Sequence, residues 1–139
     1  NRMTRFMISL EEGVKLVWKA FEDMEGGEIY VKKIPSMKVT DIALAVDENA
    51  KQEEVGIRPG EKLHEQMIGS EDAHYTYEYP EYFKILPSIN NWADDPKRIG
   101  DGIKVGPDFM YCSDSNEEWM EISELQEWIE ENRNKIGNI

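Results

Sequence analysis

Cations, cysteines and long apolar runs are what this chain has least of. Its 139 residues hold 16 Lys plus Arg against 29 Asp plus Glu, a formal net charge of −13. So few cations cannot neutralise a phosphate backbone over a wide surface, which excludes a nucleic-acid binder. The same balance excludes an anionic membrane surface as partner. Cys112 is the single cysteine, so no internal disulfide can form, as suits a reducing compartment, and the expected location is cytoplasmic. No stretch approaches the roughly 20 apolar residues of a membrane helix, and no signal peptide is read ahead of the first expected strand. What is present is 40% hydrophobic and 10% aromatic residues, enough for a core. That content fits one folded domain spanning 1–139.

The chain opens at Asn1 without an initiator methionine, and Phe6, Met7 and Ile8 already read as a short strand. This start is expected to be a cut in a linker inside a longer protein, with a processed terminus or a remnant of a tag as the plainer alternative. Ser9-Leu-Glu-Glu12 is a capping box. After it Leu10, Val14, Val17, Trp18, Phe21 and Met24 recur at helical spacing until Gly26-Gly27. Glu28–Val31 reads as a strand closed by Pro35, and 39–46 as a second helix. Gln52–Ile57 alternates like a strand and runs into Arg58-Pro59-Gly60, after which 61–68 reads as a short helix. Aromatic strands are expected over 75–79 and 82–86, split by Pro80. Segment 87–108 holds three Pro and three Gly and reads as an irregular excursion. A second capping box, Ser123-Glu-Leu-Gln126, opens a helix over 123–135 with Ile122, Leu125, Trp128 and Ile129 on its buried stripe. Helices alternating with strands make the expected fold class α/β (α+β).

Catalytic machinery is scarce. Gly100, Gly102 and Gly106 are spaced one residue too far apart for the dinucleotide fingerprint, and they do not lie between a strand and a helix. No Tyr is followed four positions later by Lys, Cys112 has no CxxC partner, and His64 and His74 lack a zinc-helix spacing. Glu61, His64 and Glu65 would share one face of the expected 61–68 helix, where they could hold a metal or act as acid and base. A solvated polar face is the plainer reading. The segment Gly56-Ile-Arg-Pro-Gly-Glu-Lys62 stands out. In a cation-poor chain it puts a guanidinium at a rigid bend before an expected helix start. The planar fork of Arg58 suits a phosphate, and Glu61 could accept from sugar hydroxyls. An ordinary strand-to-helix turn with a capping Glu accounts for the segment equally well.

Several motifs occur together and in one order: Met-Thr-Arg-Phe6, Ser-Leu-Glu-Glu-Gly13, Lys-Ile-Pro-Ser-Met-Lys38, Gly-Ile-Arg-Pro-Gly-Glu-Lys-Leu-His-Glu65, Tyr-Glu-Tyr79, and Tyr-Cys-Ser-Asp-Ser-Asn116 with Trp119. Jointly they resemble the C-terminal part of bacterial UDP-N-acetylglucosamine 4,6-dehydratases. These are extended short-chain dehydrogenase/reductases, and the Arg-Pro-Gly-Glu form is most similar to the inverting, 5-epimerising type of pseudaminic acid synthesis. The resemblance implies that a Rossmann half, absent here, binds NADP and supplies a catalytic Tyr and Lys. By the same resemblance this chain binds no cofactor, is catalytically silent alone, and forms the lobe that grips a UDP-sugar. Arg58 would contact the diphosphate and Glu61 the ribose, while Thr4 and Arg5 would lie near another phosphate position. Residues 1–35 would complete the missing Rossmann part and 36–139 would form the small lobe. The strand at 28–31 would be the last of a parallel sheet.

Two further readings stay open: a stand-alone module that kept a nucleotide-sugar grip, and an interaction domain using the acidic helix 123–135. With its sheet missing, the strand at 28–31 is expected to lack neighbours and the 10–24 helix to expose Trp18, Phe21 and Met24. Self-association as a homo-oligomer or strand-exchanged dimer is the expected consequence.

Overall fold

The computed structural model describes residues 2–136. In chain order the elements are β1 (Thr4–Phe6), α1 (Leu10–Asp23), β2 (Ile29–Lys32), β3 (Ser36–Lys38), α2 (Val39–Val46), β4 (Gln66–Ile68), β5 (Thr76–Glu78), β6 (Tyr82–Ile85), α3 (Pro96–Ile99), β7 (Ile103–Lys104), β8 (Tyr111–Cys112) and α4 (Ile122–Ile136). Short 3-10 turns lie at Ala73–Tyr75 and Trp92–Asp94. The mixed α/β class read from the sequence is the one that forms. By its contacts the chain gathers into two units, one of residues 2–7, Pro35–Glu65 and 113–136, the other of Ile8–Ile34 and Gln66–Cys112.

In the first unit β1 pairs antiparallel with β3, Thr4 opposite Lys38 and Phe6 opposite Ser36. The segment 118–120 runs beside β3 as well. The Ser36 N–H donates to the Glu118 carbonyl at 2.8 Å, and the Met120 N–H donates to the Ser36 carbonyl at 2.9 Å. Met37, Ala45 and Leu125 form the core, with Met7, Ile42, Met120, Ile122 and Ile129 packed around them. Ile122, Leu125 and Ile129 of the stripe expected on α4 pack here, Leu125 and Ile129 lying four apart, but Trp128, expected on the same stripe, is 40% exposed at its margin. The cap of α4 differs from expectation. The Glu124 carboxylate accepts the Glu121 N–H, and the Glu121 carbonyl takes the first helical bond from Leu125. Ser123 therefore lies inside the helix instead of capping it.

Two elements expected in this unit do not form. Residues 51–58 are exposed and irregular, because the alternating Gln52–Ile57 run finds no partner strand. Residues 61–68 are not helical. Leu63, His64 and Glu65 lie against β1 and Ser113 through long-range hydrogen bonds, and 66–68 become β4. Tertiary pairing outweighs the good helix propensity of Glu, Lys, Leu and Gln. The first strand also begins earlier than its apolar run implied, at Thr4 instead of Phe6.

In the second unit an antiparallel sheet has the order β2-β6-β5-β7. The turn Pro80-Glu81 joins β5 to β6, the Tyr79 N–H donating to the Tyr82 carbonyl at 2.9 Å. The expectation that β2 lacks neighbours is corrected: β2 pairs antiparallel with β6, from Ile29–Ile85 to Lys32–Tyr82, and among the described strands its other edge is open. β4 and β8 form a separate antiparallel pair. Tyr77, Tyr79, Leu86 and Ala93 form one buried cluster, and Ile34, Ile68, Ala73 and Phe83 are buried as well. Within 87–108 the chain makes the Trp92–Asp94 turn, α3 and β7.

Helix α1 is capped by Ser9, whose Oγ accepts the Glu12 N–H at 3.2 Å. None of its residues is buried. Leu10, Trp18 and Phe21 are 85%, 64% and 66% exposed, so the apolar stripe read from the sequence faces solvent in this chain. Among the described residues no helix is long and apolar enough to cross a membrane.

Candidate functional site: the Arg58–Glu61 turn and its support

Residues 58–61 close a tight turn in which the Glu61 N–H donates to the Arg58 carbonyl at 3.0 Å. Pro59 supplies the fixed φ of the second position, and Gly60, at φ +83, supplies the positive φ of the third. This is the type II turn that the order Pro-Gly favours. The Glu61 carboxylate reaches back, its Oε2 accepting the Arg58 N–H at 3.0 Å. One carboxylate oxygen is thereby engaged and the other faces solvent. The turn is exposed throughout. Among the described residues the Arg58 guanidinium has no hydrogen-bond or ion-pair partner. A cationic fork and a carboxylate oxygen thus sit three residues apart on one rigid bend, with their polar atoms available. That combination suits a phosphate beside a polyol.

What holds the turn is the segment 62–65 that follows it. From β1, the Thr4 N–H donates to the Leu63 carbonyl at 3.1 Å. The Arg5 guanidinium donates to the carbonyls of Lys62 at 3.2 Å and Leu63 at 3.3 Å, and to that of Thr4 at 2.7 Å. The Phe6 N–H donates to Glu65 Oε2 at 2.8 Å, and Arg5 Nε lies 3.7 Å from Glu65 Oε1. On the other side Ser113 donates its N–H to the Glu65 carbonyl at 2.8 Å and accepts the Glu65 N–H on its Oγ at 2.9 Å. Thr4 Oγ1 lies 2.8 Å from His64 Nδ1 and 2.6 Å from Ser113 Oγ. The segment is clamped between β1 and Ser113 by main chain and side chain alike.

The four residues singled out from the sequence therefore fall into two pairs. Arg58 and Glu61 share the exposed turn. Thr4 and Arg5 lie behind the segment that carries it: Thr4 is 4% exposed, its hydroxyl is engaged internally, and the Arg5 nitrogens are directed at backbone carbonyls. The shared helix face for Glu61, His64 and Glu65 does not exist, since no helix forms there. The Glu65 carboxylate is taken by β1 and His64 Nδ1 by Thr4. Among the described residues no group of three or more His, Cys, Asp or Glu is arranged to hold a metal. Sequence reasoning assigned no role to Ser113, whose contact with Thr4 spans 109 positions. The Tyr-Cys-Ser-Asp-Ser-Asn116 segment, part of the family resemblance, was the available signal.

The glycine cluster is structural. Gly100, at φ +56, ends α3, and a Cβ on Gly102 would collide with the Tyr79 ring. Neither lies in a strand-turn-helix cradle, so these residues do not fit a dinucleotide. A concavity of about 490 Å³ in the first unit is lined by Pro35, Glu117, Glu118, Trp119, Met120 and Glu124. None of Thr4, Arg5, Arg58 and Glu61 borders it.

The second unit contains its own charged network. Lys84, 3% exposed, donates to Asp23 Oδ2 and to the Arg98 carbonyl, both at 2.7 Å. The Tyr30 hydroxyl donates to the same Asp23 oxygen at 2.7 Å, while Arg98 pairs with Glu28. Burial alone would raise the Asp23 pKa, but hydrogen bonds from Lys84 and Tyr30 together with the Lys84 charge bring it below its ordinary value. Burial, then the hydrogen bond to the Asp23 carboxylate, raises Tyr30. Tyr79 is pushed up to about 12, chiefly by burial and then by the Asp23 charge. The network ties the end of α1 to β2, β6 and α3.

Comparison with known proteins places this geometry in context. Residues 1–87 match the family model described as polysaccharide biosynthesis protein. Over 134 residues, 93% of this chain, the sequence is 51% identical to a UDP-N-acetylglucosamine 4,6-dehydratase (inverting) of Campylobacter jejuni serotype O:2. It is 49% identical over the same length to the enzyme of that name from serotype O:23/36. The chain spans 40% of the length of each of these relatives. Among solved structures, that of Pen from Bacillus thuringiensis superposes with a TM-score of 0.77 at 26% identity, covering 95% of this chain and 40% of that one.

Proposed function

The chain belongs to the polysaccharide biosynthesis protein family, and on that premise we propose that it is the substrate-gripping portion of a UDP-N-acetylglucosamine 4,6-dehydratase. In this reading the Arg58 guanidinium forks onto the diphosphate, and the solvent-facing Glu61 oxygen accepts from the ribose hydroxyls. Arg5 and Thr4 act from behind, holding 62–65 so that the turn meets the ligand already formed. The observation that carries the reading is the Arg58–Glu61 turn, whose side chains are poised while its backbone is fixed. Identity of 51% to the inverting enzyme supports the stereochemical type and a place in surface-polysaccharide synthesis.

The chemistry of such an enzyme is oxidation and reduction at the sugar, with NADP carrying the hydride. This chain contributes no residue to that step and is silent by itself. The single Cys112 supports a cytoplasmic setting. The exposed face of α1 supports association with a second copy, which would cover Leu10, Trp18 and Phe21.

Titration of the chain with UDP, UMP and uridine tests the proposal. The expected order of affinity is UDP, then UMP, then uridine, because each lost phosphate removes a partner for Arg58. Equal affinity for all three, or none for any, overturns it. Turnover of UDP-N-acetylglucosamine by the chain with added NADP overturns the claim of silence.

A further inference from the structure

His64 lies three residues beyond Glu61 and contacts neither Arg58 nor Glu61 among the described hydrogen bonds, yet its ring closes a continuous chain of them. The Glu65 N–H donates to Ser113 Oγ at 2.9 Å. Ser113 is wholly buried, so its own hydroxyl proton needs a protein acceptor, and Thr4 Oγ1 stands 2.6 Å away. With Ser113 donating, the Thr4 proton is free to be given onward, and His64 Nδ1 stands 2.8 Å from Thr4 Oγ1. Nδ1 is then the acceptor, and the ring proton resides on Nε2, which faces Asp114 Oδ2 at 3.9 Å. Every donor and acceptor in the chain is used once in this direction. Reversing it, with a proton on Nδ1, would turn the Thr4 proton onto Ser113 and strand the buried Ser113 proton.

We propose that His64 is a positioning residue for the Arg58–Glu61 turn, acting through Thr4 and Ser113 to lock the 62–65 segment on which the turn is mounted. This rests on the nucleotide-sugar reading above and deepens it. Two residues, Lys62 and Leu63, separate His64 from Glu61, and the carbonyls of both are held by Arg5. A shift of the His64 ring is therefore delivered to the turn with little slack. The arrangement supports a polar site whose own side chains are left open for ligand, which is how pre-organisation is achieved without occupying the site. The tautomer is selected at Nδ1 alone, by the buried Ser113–Thr4 pair, since Asp114 Oδ2 at 3.9 Å is beyond hydrogen-bond reach of Nε2.

The test uses the 139-residue chain, UDP as the probe, and two variants at one position. His64→Ala removes the acceptor; His64→Asn keeps an amide oxygen where Nδ1 stood. Loss of one hydrogen bond in the lock predicts a UDP dissociation constant raised roughly five- to tenfold in His64→Ala. His64→Asn should return to within about twofold of the parent. Nitrogen-15 spectra of the unmodified chain should show Nδ1 unprotonated and Nε2 protonated. An unchanged affinity in His64→Ala, a folded His64→Asn as weak as His64→Ala, or a proton on Nδ1 overturns the proposal. If the parent chain does not bind UDP, the nucleotide reading fails. Backbone relaxation at Gly60 and Glu61 then decides the positioning role: greater mobility in His64→Ala reversed in His64→Asn sustains it, and no change ends it. Should His64→Ala not fold, Ser113→Ala replaces it, with faster exchange of the Glu65 amide expected and unaltered exchange contradicting the lock.

Discussion

Replacing Thr4 by Val keeps the shape of the side chain and deletes one oxygen. That oxygen lies 2.8 Å from His64 Nδ1 and 2.6 Å from Ser113 Oγ, in a residue 4% exposed. The two neighbours fare differently. The His64 side chain is 30% exposed, so water can reach its nitrogen and the loss there is small. Ser113 is 0% exposed, and its stranded hydroxyl costs about 1–3 kcal/mol. The expected destabilisation is therefore about 2 kcal/mol, with Thr4→Ser, which keeps the hydroxyl and loses one buried methyl, nearer ~1 kcal/mol. Urea unfolding followed by circular dichroism reads this directly. A slope of about 1–3 kcal/mol per molar urea converts 2 kcal/mol to a midpoint lower by roughly 1 M. Adding Ser113→Ala to Thr4→Val removes both partners, so the double variant should lose less than the sum of the singles. A Thr4→Val chain within about 0.5 kcal/mol of the parent, or Thr4→Ser as costly as Thr4→Val, would refute the reasoning.

Two other expectations concern the second unit. Trp18 and Phe21 stand 64% and 66% exposed on α1, and replacing either with Glu should weaken self-association roughly tenfold or more by sedimentation velocity. A parent chain that is monomeric at high concentration contradicts the second-copy proposal. For pH, the lowered Asp23 pKa contributes stability that is present above its ordinary 3.8 and lost as pH falls through the lower folded-state value. The raised Tyr79 contributes stability present below 10, lost as pH climbs toward about 12. Thermal melting across pH should fall in both windows, and Asp23→Asn should flatten the acid one and shrink the alkaline one, because the Asp23 charge also helps raise Tyr79.

Helices were legible where periodicity and caps agree. Ser9 and the 3-4 spacing marked α1, and Ile122, Leu125 and Ile129 marked α4 even though its cap was misplaced. The Pro80 turn between β5 and β6 was legible for the same reason: Pro leaves few alternatives. The failures cluster around the site. Residues 61–68 carry helix-forming side chains, but 62–65 are held by Thr4, Arg5, Phe6 and Ser113 and 66–68 pair with β8, and none of these contacts is local. The partner of β2 lies fifty or more positions away in β6, beyond what pattern can show. The chemistry was legible in Arg58, Pro59, Gly60 and Glu61, because a type II turn is written in consecutive residues. Its support was not, because Thr4, His64 and Ser113 meet only in three dimensions.

The central claim is that Arg58 grips the diphosphate of a UDP-sugar. Calorimetric titration of UDP into the chain and into Arg58→Ala tests it most directly. Charge-assisted hydrogen bonds worth about 1.5–3 kcal/mol predict saturable binding by the parent chain and a loss of roughly tenfold or more in the variant. Equal affinity for UDP in the two proteins would contradict the claim.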